Sequence, residues 1–212
     1  MTTADENVRA GSRQDQAATT RRHLLAAAGA VFEERGYKAA TVGAITDRAN
    51  TAHGTFYLYF RNKEDAFCQV IESVIVDELA INVVVPLGDA PQPAIEEGIR
   101  AFLGVYSKHA GLWRALLEGT LQSPRVQEMW LELRRGLVTR LSTTFAAQQR
   151  AGRVRAFDPL IVAHSLAAMT EWSAFTHIVL GEPTPDQAPD PEALAVTLSD
   201  LWYRSIFGEV DG

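Results

Sequence analysis

The chain has 212 residues, of which 47% are hydrophobic and 22% are charged, and its net charge is −6. This composition is typical of a globular protein, and no apolar run approaches the roughly 18–20 residues that span a bilayer, so we expect no membrane partner. The first twenty residues lack the apolar segment of a secretory signal, and a single cysteine excludes an internal disulfide. These features predict a cytoplasmic protein.

The charge is unevenly distributed along the chain. Residues 1–65 carry nine Lys and Arg against eight Asp and Glu, whereas residues 66–212 carry eleven against eighteen. A near-neutral N-terminal module can approach a polyanion, while the acidic remainder serves another purpose. By itself this difference is small enough to arise by chance.

Glycine, proline and capping residues divide the chain into helices, and no segment alternates convincingly with the period of two that is typical of strands. The first helix is predicted from about Thr19 to Arg35, followed by Gly36, which tolerates a left-handed conformation. A short second helix begins at the cap Thr41 and stops at Asn50.

An aromatic-rich stretch, His53 to Phe60, follows after only a turn, which favours a third helix over a strand. Phe56 and Phe60 lie four residues apart, on one face of such a helix, and are predicted to be core. Tyr57 and Tyr59 then remain on the surface.

The helices lengthen downstream. We predict them from Lys63 to about Val85, with Asn62 and Asp65 at its N-cap and N3 positions, then from Ala94 to Lys108 and from Leu112 to Glu118. Three more begin where a capping residue precedes proline and end near a glycine: Ser123-Pro124 to Gly152, Asp158-Pro159 to Gly181, and Asp190-Pro191 to Gly208. The fold class is therefore all-α, with nine helices.

A four-part motif runs through residues 20–67, TRRHLLAAAGAVFEERGYKAATVGAITDRANTAHGTFYLYFRNKEDAF. It comprises a helix ending in Gly-Tyr, a Thr-Val-x-x-Ile start, a Gly-Thr-Phe-Tyr-x-Tyr-Phe stretch, and a Lys-Glu step into the next helix. In this order the motif resembles the N-terminal helix-turn-helix domain of the TetR family of bacterial transcriptional repressors. The resemblance implies a two-domain architecture: a flexible tail (1–18), a DNA-binding domain (19–65), and a ligand-binding and dimerisation domain (66–212).

The resemblance also implies that the third helix enters the major groove of double-stranded operator DNA. Hydroxyls and a positive charge are then needed at the phosphates, while exposed side chains of the helix read the bases. Tyr57, Tyr59, Lys63 and Thr41 are the candidates for phosphates, and His53, Thr55 and Leu58 for bases. The full set of DNA-binding candidates is Thr41, Thr51, His53, Gly54, Thr55, Tyr57, Leu58, Tyr59 and Lys63.

The turn departs from the family pattern, because Asn50-Thr51-Ala52 stands where Gly-Val-Ser is usual. The cap of the third helix therefore comes from Thr51 or is missing, at a cost of about 1 kcal/mol. Two alternatives stay open for Arg9 and Arg13: an arm in the minor groove, or a disordered tail.

In the resembled family the remaining helices bind a small effector, here expected to be apolar or amphipathic, and form a homodimer. The pocket candidates are large side chains of helices four to eight, each of which also fits a plain core: Val74, Phe102, Tyr106, Trp113, Leu116, Leu117, Trp130, Leu133, Leu137, Met169 and Trp172. Glu171 is either a polar handle there or a charge at the dimer surface. Whether the effector releases or promotes DNA binding is open.

Helices eight and nine look apolar over a wider arc than one core requires, which predicts a dimer interface. Its candidates are Leu166, Ala167, Phe175, Leu194, Leu198, Leu201 and Trp202.

Two other classes of protein compete with a DNA-binding regulator. An enzyme is disfavoured because the sequence contains none of the common catalytic or phosphate-binding motifs, so we expect no catalytic residue and no cofactor. His164, Glu171 and His177 suggest a metal site only weakly, and no metal is expected. A helical protein-binding module that uses Tyr57 and Tyr59 as anchors explains the aromatics but not Thr41 and Lys63.

Overall fold

The computed structural model describes residues 3–82, 90–181 and 190–208, and within these ranges the chain forms nine helices and no strand. The predicted all-α class is confirmed. The helices are α1 (Thr3–Ala39), α2 (Val42–Arg48), α3 (His53–Phe56), α4 (Lys63–Ile71, continuing as a π-helical turn Glu72–Val76 and an α-helical part Asp77–Asn82), α5 (Pro91–Lys108), α6 (Ala110–Gln122), α7 (Pro124–Arg150), α8 (Pro159–Ala174, continuing as a π-helical turn Phe175–Val179) and α9 (Pro191–Phe207).

Helix α1 is longer than predicted. It is helical from Thr3, so the described part of the predicted flexible tail is helical instead. Residues 1–18 contain no proline and a single glycine, Gly11, so no strong helix breaker interrupts them. The side chains of Arg9 and Arg13 lie outside the described part of the chain. Near the other end Gly36 has the positive φ, 75°, that was expected of a glycine there, but with an extended ψ of 178°, and it kinks the helix.

The helix starts follow the predicted capping chemistry. Asn62 Oδ1 accepts the backbone N–H of Asp65 at 2.8 Å. The serine and aspartates before the three prolines act in the same way: Ser123 accepts from Val126, Asp158 from Leu160 and Ile161, and Asp190 from Glu192. The predicted end of α4 near Val85 lies outside the described residues, as do most of the loops that precede α5 and α9.

An aromatic cluster joins α1 to α4. The Phe67 ring lies edge-on to Phe32 and Tyr37, at centroid distances of 4.7 and 5.0 Å. Phe32 and Phe67 are fully buried and Tyr37 nearly so. This cluster fixes the start of α4 to the N-terminal helices that precede it.

Helix α6 packs along α1. Two hydrogen bonds also join the two helices, and we call this pair of bonds the α1–α6 junction. At one end, Glu33 Oε1 accepts the backbone N–H of Gly111 at 3.0 Å. At the other end, Glu118 Oε2 accepts the backbone N–H of Lys38 at 3.2 Å, just past Gly36. The N-terminal helices are therefore fastened to the rest of the chain along a whole helix.

The C-terminal helices form two packed pairs, α5 with α9 and α7 with α8. A buried hydrogen bond from Trp202 Nε1 to Thr170 Oγ1, 2.8 Å long, ties α9 to α8. Arg100 Nε donates to Glu192 at 3.0 Å and connects α5 to α9. Within the described ranges, no helix is both long and apolar enough to cross a membrane.

The α1–α6 junction depends on the missing side chain of Gly111. A Cβ at this position would lie 2.3 Å from the Glu33 carbonyl oxygen, a backbone atom that cannot move away alone. We expect Gly111→Ala to lower the free energy of unfolding by about 1–3 kcal/mol, measured by urea denaturation. Gly136→Ala is the matched control, because its nearest neighbour is the flexible end of Arg140 at 3.9 Å. Equal stabilities of the two variants would contradict the close approach.

Candidate functional site

Helices α2 and α3 form a helix-turn-helix. Thr41 Oγ1 accepts the backbone N–H of Ala44 at 3.1 Å and so caps α2, as predicted. The turn passes through Asn50 with a φ of 50°, which asparagine tolerates better than most residues. The backbone N–H of Thr51 donates back to the Thr46 carbonyl at 3.0 Å and holds the turn closed.

The inward face of α3 is as predicted, although the helix is shorter. Phe56 and Phe60 are buried, with ring centroids 5.2 Å apart. Regular helix covers only His53–Phe56, and residues 57–59 form turns in which Leu58 and Tyr59 donate to carbonyls three residues back. Tyr57 is 54% exposed and Leu58 78% exposed. Their side chains are thus presented to any molecule that approaches this surface.

The structure decides between the two alternatives for the cap of α3, which were a cap from Thr51 and no cap. The N-cap of α3 is Ala52, which has no side chain that can accept a hydrogen bond, so the cap is missing. The Thr51 hydroxyl is buried and has no hydrogen-bond partner in the described structure. As placed, it reaches neither the helix start nor the surface. An uncapped start is one physical reason for the shortness of α3.

The first turn of α3 is open to solvent. His53 is exposed, with its ring edge-on to Tyr57 at 5.6 Å, and Thr55 is half-buried. A Cβ added to Gly54 would meet no atom within 4 Å. Gly54 therefore has no packing requirement within the chain, and its missing side chain leaves the helix start free for close approach by a partner.

Lys63 stands at the edge of this surface with one hydrogen bond already made. Its Nζ donates to the Tyr37 carbonyl at 2.8 Å and lies 4.5 Å from the centre of the Tyr37 ring. Burial lowers the pKa of the Lys63 ammonium. An ammonium has three donors, so this bond leaves N–H groups for a phosphate. The DNA contacts of Lys63, and those of the half-buried Tyr59, remain predictions.

Arg35 lies beside the start of α2 and was not identified from the sequence. It lines a shallow polar cleft together with Thr41, Gly43 and Arg48. Arg48 itself is ion-paired to Glu34, at 2.7 Å. No spacing in the sequence marks Arg35, because only the packing of α1 against α2 brings it next to Thr41.

A second candidate site is a cavity of about 280 Å³ between α5, α6, α7 and α8. Six of the predicted pocket residues line it: Tyr106, Trp113, Leu116, Leu117, Trp130 and Trp172. Glu171 lines it too, in agreement with its alternative as a polar handle, and four residues that were not predicted to line a pocket join them: Thr120, Arg134, Ala168 and Phe175. The sequence therefore identified the aromatic wall of this cavity, which we call the effector cavity.

The other predicted pocket residues lie elsewhere. Phe102 and Leu137 line a separate cavity of about 40 Å³, which shares only Glu171 with the first. Val74, Leu133 and Met169 are partly buried against the core and line neither cavity. For these three residues the alternative reading as plain core fits the structure, because an apolar stripe at helical spacing does not distinguish a cavity wall from a filled core.

Glu171 faces the effector cavity and is ion-paired to Arg134. Arg134 Nε lies 2.7 Å from Glu171 Oε2. The contact is ionic rather than a well-aligned hydrogen bond, because the Nε–H has no aligned acceptor in the described structure. Burial raises the pKa of the Glu171 carboxyl, and the nearby Arg134 charge opposes that rise. Nothing in the sequence pairs these two residues, which are far apart along the chain.

Most of the predicted dimer residues are already buried within one chain. Trp202 is fixed by its bond to Thr170, and Phe175 lines the effector cavity. Leu166, Ala167 and Leu198 are also buried. Because buried side chains gain nothing from a second chain, the predicted set reduces to Leu201, which is exposed, and Leu194, which is half-buried. The apolar composition of α8 and α9 reflects internal packing as much as a further interface.

The remaining candidates from the sequence are the weak metal-site residues and Cys68. Within the described part of the chain, no group of three or more His, Cys, Asp and Glu side chains is arranged to hold a metal ion. Cys68 is a small buried side chain, and burial raises the pKa of its thiol to about 11. A thiol of that pKa is protonated near neutral pH and therefore a poor nucleophile.

The fold and the exposed turn-helix surface define a helix-turn-helix protein with a helical domain behind it. Residues 24–68 match the family described as bacterial regulatory proteins, tetR family. Residues 95–208, more than half of the chain, match the transcriptional regulator EthR, C-terminal domain. The chain belongs to the TetR family of transcriptional regulators, whose helix-turn-helix binds DNA.

Individual proteins are similar to this chain, in sequence or in fold, over most of its length. The HTH-type transcriptional regulator EthR of Mycolicibacterium smegmatis is 28% identical over 188 residues, covering 87% of this chain and 85% of that protein. A transcriptional regulator from Rhodococcus sp. RHA1 shares the fold with a TM-score of 0.71 at 21% identity, covering 90% and 98% of the two chains. The flavonoid-responsive regulator FrrA has a TM-score of 0.66 at 20% identity, covering 91% and 100%.

Gly54 offers a test of the DNA-facing surface that spares the fold. We expect Gly54→Ala to leave the free energy of unfolding unchanged or to raise it by up to about 1 kcal/mol, because alanine favours helix. The added methyl group should still weaken DNA binding by at least about tenfold, or ~1.4 kcal/mol, by holding α3 away from the groove. Fluorescence anisotropy with labelled duplex measures the affinity.

Gly104→Ala is the control, since Gly104 is also a helical glycine with open space around it but lies on α5. An unchanged DNA affinity for Gly54→Ala would mean that this helix start does not approach the duplex closely.

Proposed function

We propose that the chain is a repressor that binds a pseudo-palindromic operator as a homodimer and is released from it by a small, largely apolar effector. The observation that carries the proposal is the division of α3 and its following turn into two faces. Phe56 and Phe60 are buried, whereas Tyr57 and Leu58 project from the opposite side. A short helix anchored inward and aromatic outward is suited to insertion into a groove.

Phosphate chemistry supports the contacts on either side of that helix. Duplex DNA carries one negative charge per ~1.7 Å of axis, so a bound protein needs donors at the edges of the groove. The Tyr57 hydroxyl and the free N–H groups of Lys63 are such donors on one side. Thr41 and Arg35, which share the cleft at the start of α2, supply them on the other. His53, Thr55 and Leu58 then face the bases.

The homodimer is supported by apolar side chains that one chain leaves uncovered. Six of them belong to α8, its end and α9, and one of these, Trp172, lines the effector cavity. The other five are each between 44% and 64% exposed: Leu160, Ile161, Leu180, Val196 and Leu201. Twofold pairing of these helices would bury the same patch on both chains. It would also place two copies of α3 about 34–36 Å apart, one turn of DNA.

For an effector to release the operator, its binding in the cavity must change the position of α3. Helix α6 is suited to transmit that change. One face of α6 lines the effector cavity through Trp113, Leu116 and Thr120. The other is fastened to α1 at the α1–α6 junction. A ligand that displaces α6 therefore displaces the helix that braces the DNA-binding unit, with a typical coupling of ~1–3 kcal/mol. FrrA, which shares this architecture, is described as flavonoid-responsive.

The salt dependence of DNA binding tests the phosphate contacts. An operator selected from random duplexes should lose affinity steeply as salt rises, because bound phosphates release counterions. Lys63→Gln keeps a donor for the Tyr37 carbonyl but removes the charge, so we expect the slope of log K against log salt to fall by about 1. Lys108→Gln is the control, because it removes the same charge from an exposed ion pair on α5. Binding that does not respond to salt would favour a protein partner.

Ile161→Glu tests the dimer surface. A carboxylate within a buried apolar patch is costly, so we expect the variant to shift from two chains to one in light scattering and to lose operator affinity. Leu121→Glu is the control, since Leu121 is 81% exposed on α6, outside the proposed patch. If Ile161→Glu remained dimeric, the interface would lie elsewhere.

A further inference from the structure

Two opposite charges lie among the apolar side chains of the effector cavity. Arg134 on α7 and Glu171 on α8 face each other with 2.7 Å between Nε and Oε2, and their side chains are 22% and 14% exposed. The other described residues that line the cavity carry no formal charge. The cavity wall is therefore charged at one place and neutral overall.

A balanced pair discriminates against ligands that carry a net charge. Each ion has lost part of its hydration, and its partner offsets that loss. An anionic ligand would bring a second negative charge towards Glu171, and a cationic one would meet Arg134. Either would add an uncompensated charge to a largely apolar site, whereas an uncharged ligand leaves the pair intact.

Five of the other residues in the wall are aromatic, and their rings contact one another. Tyr106 and Trp113 stack with centroids 3.9 Å apart, and the Trp130 ring lies edge-on to Trp113 at 5.8 Å. On the opposite wall Trp172 stacks on Phe175. Faces and edges of this kind suit a flat ring system. At about 280 Å³ the cavity is at the small end of ligand pockets, roughly 300–1,000 Å³, so its occupant is compact.

We propose that the effector is a compact, uncharged aromatic molecule, and that the Arg134–Glu171 ion pair excludes charged molecules of the same shape. This inference rests on the proposed function, because it specifies the ligand of the same cavity. In this inference, selectivity against charged ligands comes from the ion pair between two residues of the protein and not from a direct bond to the ligand.

Removing either charge of the pair should change which ligand charge the cavity prefers. The two variants should differ in the sign of the charge that they come to favour. Glu171→Gln keeps the shape of the side chain but leaves the Arg134 guanidinium without a counter-charge, so an anionic ligand becomes its partner. Arg134→Met leaves the Glu171 carboxylate alone, so a cationic ligand becomes favourable. A merely structural pair would weaken all ligands equally when broken.

Three probes of one shape separate charge from size: naphthalene-2-carboxamide, naphthalene-2-carboxylate and naphthalene-2-carboxamidinium. Calorimetric titration of the full chain should rank the carboxamide first by at least about tenfold. In Glu171→Gln the ratio of carboxylate to carboxamide affinity should rise at least about tenfold. In Arg134→Met the ratio of carboxamidinium to carboxamide affinity should rise by at least the same factor.

Arg135→Met and Glu132→Gln are the controls, because they make the same charge changes at exposed neighbouring positions on α7. Both controls should keep the wild-type ranking. Each ratio compares two ligands on one protein, so a general loss of stability cancels. If one variant fails to fold, the wild-type ranking of the three probes and the ratio measured on the other variant still test the inference.

A charged probe that binds the wild-type chain as tightly as the carboxamide would overturn the inference. The inference would also be overturned if the affinity ratios of charged probe to carboxamide changed in neither variant. It would fail as well if none of the three probes bound. Operator binding, measured on the same samples, separates this failure from that of the proposed function. Salt-dependent DNA binding without charge discrimination would remove only the ligand assignment.

Discussion

The burial of Phe56 and Phe60 is the constraint on which the DNA-facing surface depends. Regular helix in α3 extends over only four residues and has no side-chain cap, so it cannot be stable by itself. The two rings, 5.2 Å apart in the core, supply the energy that holds it in place. Because those rings point inward, Tyr57 and Leu58 between them point outward, while Tyr59 is half-buried against the core.

Helix α6 extends this constraint to the C-terminal domain. Its glycines allow close contact with α1 on one side, while its large side chains form a wall of the effector cavity on the other. The two hydrogen bonds at the α1–α6 junction, from Gly111 to Glu33 and from Lys38 to Glu118, use backbone N–H groups as donors. Such bonds fix the positions of helices rather than of flexible side chains. In the proposed function, the position of α6 therefore connects ligand and DNA.

Local chemistry made much of the fold predictable. The caps Asn62, Ser123, Asp158 and Asp190 start helices where expected, because a cap needs only a side chain and the N–H groups two or three residues ahead. The core positions of Phe56 and Phe60 followed from helical spacing. The cap of α3 stayed open between Thr51 and none, because the choice depends on the path of the turn, which places Ala52 at the N-cap.

The sequence by itself determined the helix-turn-helix and the order of the helices, because each depends on residues close together in the chain. It also indicated the aromatic residues of the cavity wall, because helical spacing shows which large side chains each helix turns inward. Only the tertiary structure decided which apolar residues of α8 and α9 are buried internally, and which of them remain exposed. It also brought Arg35 beside Thr41 and Arg134 beside Glu171. Pairs of this kind belong to different helices, and helical periodicity specifies which face is apolar but not which neighbour covers it.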